Sequence, residues 1–392
     1  VTLFVDGESP MGEGMFTIEV RPRAGVAGQF CELGSTETEW LFRRDLNDAE
    51  TVAVIEIRKE DGCCDCVPKK WRDEVLFWRD HPEASSGRSL DHLAFVGPVV
   101  SVKDDPSSES IQIVVGTRAR KPFGNKLVAA VPHFYSEEEL DDLGVVIQAD
   151  TRVDAMTLFL ELWADAESQE PSGLTLQPAT PALTGVLVTA DIPVGAQLGP
   201  ELQRVMDLAV DVAIVGNVMH VGSLDISADN FDTLTPDVDW ETADASILDD
   251  GELLVTAVTV NGRDGVTATY PTDVTLWDHP EFGIHHEVID VNTIETVDEA
   301  AAFAASYYAL HSPAAGIYVD TEEQSGSVSC DWPVPMSGMV PGRIFSFDTH
   351  EATDLYCFNL AVTTRLESMT VTGSGSFEDT VKVLLVPIGT TT

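Results

Sequence analysis

Positive charge is scarce in this sequence. Its 392 residues hold 22 Lys and Arg against 66 Asp and Glu, a formal charge of −44 at pH 7. That balance argues against a nucleic-acid-binding module that works by neutralising phosphates. It also disfavours docking on an anionic membrane through basic residues. Long apolar runs are missing too. The best, Met156-Thr-Leu-Phe-Leu-Glu-Leu-Trp163, is interrupted by Glu161 and falls well short of the about 18 apolar residues of a membrane span. The N-terminus, Val-Thr-Leu-Phe-Val-Asp-Gly, has neither a basic segment nor a long apolar one. It does not read as a signal peptide, and the expectation is a protein made and used without secretion. Familiar catalytic signatures are absent as well. There is no Gly-x-Ser-x-Gly elbow and no Walker loop.

Apolar residues make up 44% of the chain, enough for sizeable cores, and the length suits about two or three domains. Sixteen of the 22 basic residues lie at or before Lys126. From Val153 onward only Arg204, Arg263, Arg343, Arg365 and Lys382 remain. Such a surface repels itself at ordinary ionic strength, whereas molar salt shortens the screening length to about 3 Å. An acidic, lysine-poor surface of this kind resembles those of haloarchaea. The alternative is an ordinary acidic protein. The acids are dispersed, and the longest run is only Glu137-Glu138-Glu139, so no acidic tail is expected.

Alternating hydrophobicity predicts strands over Met15–Arg21, Thr51–Arg58, Val75–Arg79, Leu93–Val102 and Ile111–Thr117, with turns between them, as in a barrel or sandwich. Ser136-Glu-Glu-Glu139 has the form of a helix capping box. Thr151–Ala166 carries Val153, Met156, Phe159, Leu160 and Trp163 at helical spacing, and Pro171 is its stop signal. A second helix is predicted over Pro200–Val212, followed by a hairpin with Gly216-Asn217 at its tip. Strands are predicted again over Gly251–Asn261 and Val266–Tyr270. Thr296-Val-Asp-Glu299 is a second capping box, opening a helix to Leu310. The remainder reads as strands: Ile317–Val319, Val328–Trp332, Arg343–Phe347, Leu355–Val362, Met369–Val371 and Val381–Val386. The fold class is therefore α+β and mainly β, with two barrel- or sandwich-like β domains flanking an α/β middle. The expected boundaries are 1–125, 126–225, 226–310 and 311–392.

Cys63-Cys64-Asp65-Cys66 is the sharpest local cluster. Cys63 and Cys66 have the spacing that lets two thiolates reach one tetrahedral ion. With Cys64 they are the candidate ligands of a structural zinc site, which Cys31, His81 or His92 would have to complete, and plain thiols are the alternative. Cys330 and Cys357 lie in separate predicted strands, as buried thiols or a cross-strand disulfide. His285-His286-Glu287 lacks the H-E-x-x-H spacing and reads as structural. Asp80-His81-Pro82-Glu83 and Asp278-His279-Pro280-Glu281 repeat one tetrapeptide, a coincidence in so acidic a chain. With 66 carboxylates, bound K⁺, Na⁺, Mg²⁺ or Ca²⁺ is plausible on hard-oxygen grounds. The seven tryptophans, Trp240 and Trp277 among them, are core or interface anchors, or a sugar platform.

Several stretches, in order, resemble the minor tail or baseplate hub proteins of siphoviruses. They are Leu93-Ala-Phe-Val-Gly-Pro-Val-Val-Ser-Val102 with Ile111-Gln-Ile-Val-Val115, Leu202–Val221, Asp250–Gly262, and the helix 297–310 followed by Met339-Val-Pro-Gly342 and Arg365-Leu366. The chain departs from that pattern in having few arginines and in its Cys63–Cys66 loop. The resemblance implies a homotrimer whose two β domains per chain form a pseudo-sixfold ring below the tail tube. Its implied partners are the tube or distal tail protein and a tail fibre or receptor-binding protein. It implies no catalysis and no cofactor, a place in the virion at the tail tip or baseplate, and assembly in the host cytoplasm. An acidic lumen would let the genome slide through without binding. Charge and resemblance together point to a virus of a halophilic archaeon. The rival readings are a carbohydrate-binding adhesin at the same tip, with Trp240 and Trp277 in a cleft, and a halophilic hydrolase.

Overall fold

A computed structural model of the chain describes residues 16–23, 31–33, 39–48, 51–59, 68–79, 93–124, 126–140, 146–222, 232–234, 243–249, 255–280, 283–311, 317–323, 339–348, 361–374 and 378–387. The fold is mainly β. Seven strands come first: β1 Phe16–Pro22, β2 Cys31–Leu33, β3 Glu39–Asp45, β4 Val52–Arg58, β5 Asp73–Arg79, β6 Leu93–Asp104 and β7 Ser110–Gly116. A single helical turn follows, α1 Arg120–Phe123. The middle then alternates short strands with two helices: β8 His133–Tyr135, β9 Glu139–Leu140, β10 Val146–Gln148, β11 Val153–Asp154, α2 Ala155–Gln169, β12 Thr175–Gln177, β13 Leu187–Val188, β14 Ala190–Ile192, α3 Leu198–Ala209, β15 Asp211–Val215 and β16 Val218–Gly222. Next come β17 Asp232–Leu234, β18 Ala243–Asp249, β19 Ala257–Asn261, β20 Thr267–Tyr270, β21 His286–Asp290 and α4 Val297–His311. The chain closes with β22 Ile317–Glu323, β23 Ile344–Asp348, β24 Ala361–Ser374 and β25 Glu378–Pro387.

The two strand-rich ends share one sheet. Among the described residues it has 13 strands, in the order β18-β22-β25-β24-β3-β4-β7-β6-β5-β1-β2, with β23 joining β24 and β17. The junction is the antiparallel pairing of β24 with β3, from Ser368 opposite Asp45 to Ser374 opposite Glu39. One core lies beneath both ends. Phe16, Trp40, Phe42, Phe77 and Phe95 from the first end cluster with Phe345, Leu366, Met369, Val371, Val383 and Leu385 from the last. The rings meet at centroid distances of 4.4 Å (Phe16–Trp40) to 6.2 Å (Trp40–Phe42). Arg44, 1% exposed, sits among them. Its guanidinium donates to the carbonyls of Ala94 and Met339 at 2.5 and 3.1 Å, which pins the first end to the last. Gly97 allows the crossing of β6 over β7, because a Cβ there would lie 1.7 Å from the Gly116 carbonyl oxygen.

The middle has its own core, built on Leu158, Phe159 and Leu162 of α2, Leu202, Val205 and Met206 of α3, and Ala300 and Ala304 of α4. Its helix ends are held by buried carboxylates. Asp154 caps α2 by accepting from Met156 N at 2.9 Å and also accepts from Gly185 N at 2.7 Å. The Thr296–Glu299 box forms as its sequence implies. Glu299 N donates to Thr296 Oγ1 at 3.2 Å, and Thr296 N donates to Glu299 Oε2 at 3.1 Å. Glu299 is fully buried and also accepts from Arg204 Nη1 at 3.2 Å, tying α4 to α3. The β15–β16 hairpin turns at Gly216, φ +55°, where a Cβ would lie 2.4 Å from the Leu93 carbonyl oxygen.

The capping box at Ser136 opens no helix. Ser136 is instead clasped to Thr151, its N–H donating to Thr151 Oγ1 and its carbonyl accepting from Thr151 N, both at 2.9 Å. The residues after it include β9, which pairs antiparallel with β10. A cap only starts a helix that has an apolar face to bury, and Thr296 is followed by the buried Ala300 and Ala304.

Candidate functional site

A cleft of about 910 Å³ lies where the first strands meet the middle region. Arg21 and Arg23 reach it from the end of β1, Trp71 from the loop before β5, Glu74 from β5, Arg118 and Lys121 from around α1, and Glu170 from the end of α2. Pro22, Pro98, Pro122 and Pro171 supply apolar walls. Four of the chain's few cations therefore face two carboxylates, a local positive excess in a protein of charge −44. Arg118 grips Glu74 through both Nε and Nη2, at 3.3 and 2.9 Å. Glu170 is shared by Lys121 and by Arg23, the latter at 2.7 Å. The Lys121 bond, with Arg23 adding to it, holds the Glu170 carboxyl below the usual carboxylate range against the opposing effect of burial. Trp71 adopts φ +59°, uncommon for a bulky side chain, and its N–H donates to the Val99 carbonyl at 2.6 Å. Lys121 Nζ stands 5.5 Å from the Trp71 ring centroid. Cations, an aromatic face and proline walls converge in this cleft, each cation facing Glu74 or Glu170.

Cys63, Cys64 and Cys66 lie outside the described residues, as do His81, His92, Cys330, Cys357 and Trp240. Cys31 lies on β2, opposite Val20. Among the described residues no group of three or more His, Cys, Asp or Glu is placed to hold a metal ion. His285, His286 and Glu287 are used separately. His285 N donates to Thr256 Oγ1 at 2.8 Å, His286 Nε2 lies 2.8 Å from Thr259 Oγ1, and Glu287 accepts from Tyr307 Oη at 3.0 Å. Of the tetrapeptide, His279 is bridged to Gly283. Trp277 is half-buried, gives its indole N–H to the Pro271 carbonyl at 2.8 Å and packs on His286 at 4.8 Å. The basic cleft was not found from sequence, because five separate segments build it. The only traces were the Lys69-Lys70-Trp71-Arg72 run and the crowding of cations before Lys126.

No protein-family model and no curated protein matches the chain. Solved structures do resemble it along nearly its whole length. The tail protein from Neisseria meningitidis MC58 aligns over 95% of this chain and 96% of its own, at 11% identity and a TM-score of 0.55. The 43 kDa tail protein of prophage MuSo2 from Shewanella oneidensis aligns over 95% and 98%, at 10% identity and 0.55. Prophage tail protein gp18 from Listeria monocytogenes EGD-e aligns over 94% of each chain, at 9% identity and 0.51. At these identities the likeness is one of fold. No helix among the described residues is long and apolar enough to cross a membrane.

Proposed function

We propose that this chain is a structural protein of a viral tail, a hub that continues the tail tube and joins it to the host-recognition device. The observation that carries the reading is the fold likeness to phage and prophage tail proteins across about 95% of the chain. In this reading the strand-rich ends, 1–125 and 311–392, are the tube-type domains, and 126–225 with 226–310 decorate them. Three copies give six such domains, a pseudo-sixfold ring matched to a hexameric tube. Sheet architecture supports this. Among the described residues the main sheet ends at β2, at β18 and, on its side branch, at β17, and a closed ring is one way to cover such edges. The chain's work is to hold its neighbours, with no chemistry of its own, in a virion assembled in the host cytoplasm. The genome passes an acidic channel wall that repels phosphates.

The host is a halophilic archaeon in this reading, on the charge of −44. Native mass measurement in molar KCl tests the assembly: three copies support the ring, and a monomer at every concentration overturns it. Melting followed from molar down to about 0.1 M KCl tests the halophilic part. The expected outcome is a marked fall in Tm, and an unchanged Tm contradicts it.

A further inference from the structure

The basic cleft holds more cation than its own carboxylates neutralise, and the four cations are not equivalent. Arg118 is committed. It grips Glu74 and gives Nη1 to the Gly173 carbonyl at 3.1 Å. Gly173 adopts φ +76°, and a Cβ there would lie 3.2 Å from that nitrogen. Lys121 is committed as well, to Glu170 and to the face of Trp71. The side chains of Arg118 and Lys121 are sheltered, 14% and 23% exposed.

Arg21 and Arg23 are placed differently, each with its side chain 42% exposed. Arg21 Nη2 stands 4.0 Å from Glu74 Oε2, beyond hydrogen-bond reach, and that oxygen already accepts from Arg118 Nη2. Arg23 uses one of its five side-chain donors on Glu170, at the oxygen that Lys121 also takes. Four cations on two carboxylates leave two positive charges over, and these fall on the two exposed arginines.

The backbone sets their spacing. The β1–β5 ladder continues past Pro22, with Arg23 N donating to the Arg72 carbonyl at 3.0 Å. Residues two apart in such a strand face the same side and are about 6.5–7 Å apart along it. An extended peptide with acids at alternate positions presents its carboxylates at that same spacing. The half-buried Trp71 and the proline walls offer apolar surface to the rest of the segment. Proline walls are stiff, which lowers the ordering cost of binding. A nucleic acid is the poorer match, because it draws its affinity from many neutralised phosphates and the chain carries −44.

We propose that this cleft binds an extended acidic segment of a partner protein, with carboxylates two residues apart seated on Arg21 and Arg23. Every residue lining the cleft belongs to one copy of the chain, so the inference does not rest on the ring.

Calorimetric titration of the full chain tests it, in the lowest KCl at which circular dichroism shows the chain folded. The probes are two tetrapeptides of equal composition and charge, acetyl-Glu-Val-Glu-Val-amide and acetyl-Val-Glu-Glu-Val-amide. The first is expected to bind about tenfold or more tightly than the second, since only it sets both acids on one side. Arg21→Gln with Arg23→Gln is expected to weaken the first peptide by about tenfold or more. This variant leaves Glu74 with Arg118 and Glu170 with Lys121, so the cleft keeps its frame. Arg21→Glu with Arg23→Glu is expected to bind acetyl-Lys-Val-Lys-Val-amide instead. Equal affinity for the two acidic peptides, no binding of either, or binding that the glutamine variant leaves unchanged overturns the proposal. Inorganic phosphate that binds as tightly as the first peptide overturns it too, by showing a site for simple anions.

Discussion

The sheet and the middle region solve the same problem by different means. In the sheet, stability comes from rings and aliphatic side chains drawn from opposite ends of the chain. Phe42 touches Phe16, Trp40, Phe77 and Phe95 at centroid distances of 5.5–6.2 Å, and Arg44 reaches Met339 across the sheet. In the middle region the core mixes aliphatic side chains with Phe123, Phe159 and Trp163, and buried carboxylates fix where the helices begin and how they meet. The contrast teaches that the sheet closes through packed rings, sensitive to lost volume, while the middle joins its helices through buried ion pairs as well, sensitive to lost charge.

That difference can be broken from either side. Phe42→Ala removes a fully buried ring and is expected to cost about 3–5 kcal/mol. Denaturant unfolding in molar salt reads it, and a loss below about 1 kcal/mol would mean the rings do not hold the ends together. Glu299→Gln removes the buried one of the two carboxylates that Arg204 pairs with, leaving Glu201, and is expected to cost about 2 kcal/mol. The same experiment measures it, and a neutral outcome would remove the case for charge as the fastener of the middle.

The smallest effect lies at the seam and depends on pH. Burial, with Arg44 adding to it, pushes the His220 imidazole from its ordinary 6.5 down to about 4. Folded His220 is therefore neutral where the unfolded chain takes up a proton. Its contribution is whole above about pH 6.5 and is lost as the pH falls toward 4. His220→Gln is expected to flatten the stability–pH curve in that window by about 1–3 kcal/mol. A curve parallel to that of the wild type would show that the imidazole titrates normally.

Local elements were legible where one face alternates or repeats cleanly. Alternation marked β1, β4, β5, β6 and β7 to within a few residues, as helical spacing marked α2 and α3. β3 was missed because its inward positions are Trp40, Phe42 and Arg44, and a buried arginine breaks the apolar rhythm. The β3–β24 pairing was not legible either, since local patterning cannot specify partners at opposite ends of a chain. The two capping boxes show the same limit. Ser136 and Thr296 carry equivalent local signals, yet among the described residues only the second opens a helix. The cleft depends wholly on tertiary approach, so no window of sequence contains it.

The central claim is that copies of this chain build a tail ring. Electron-microscopic imaging of the purified protein in molar KCl tests it most directly. Threefold rings with an open channel and an acidic inner wall are the result expected here. A field of separate single copies, or a closed particle without a channel, would contradict it.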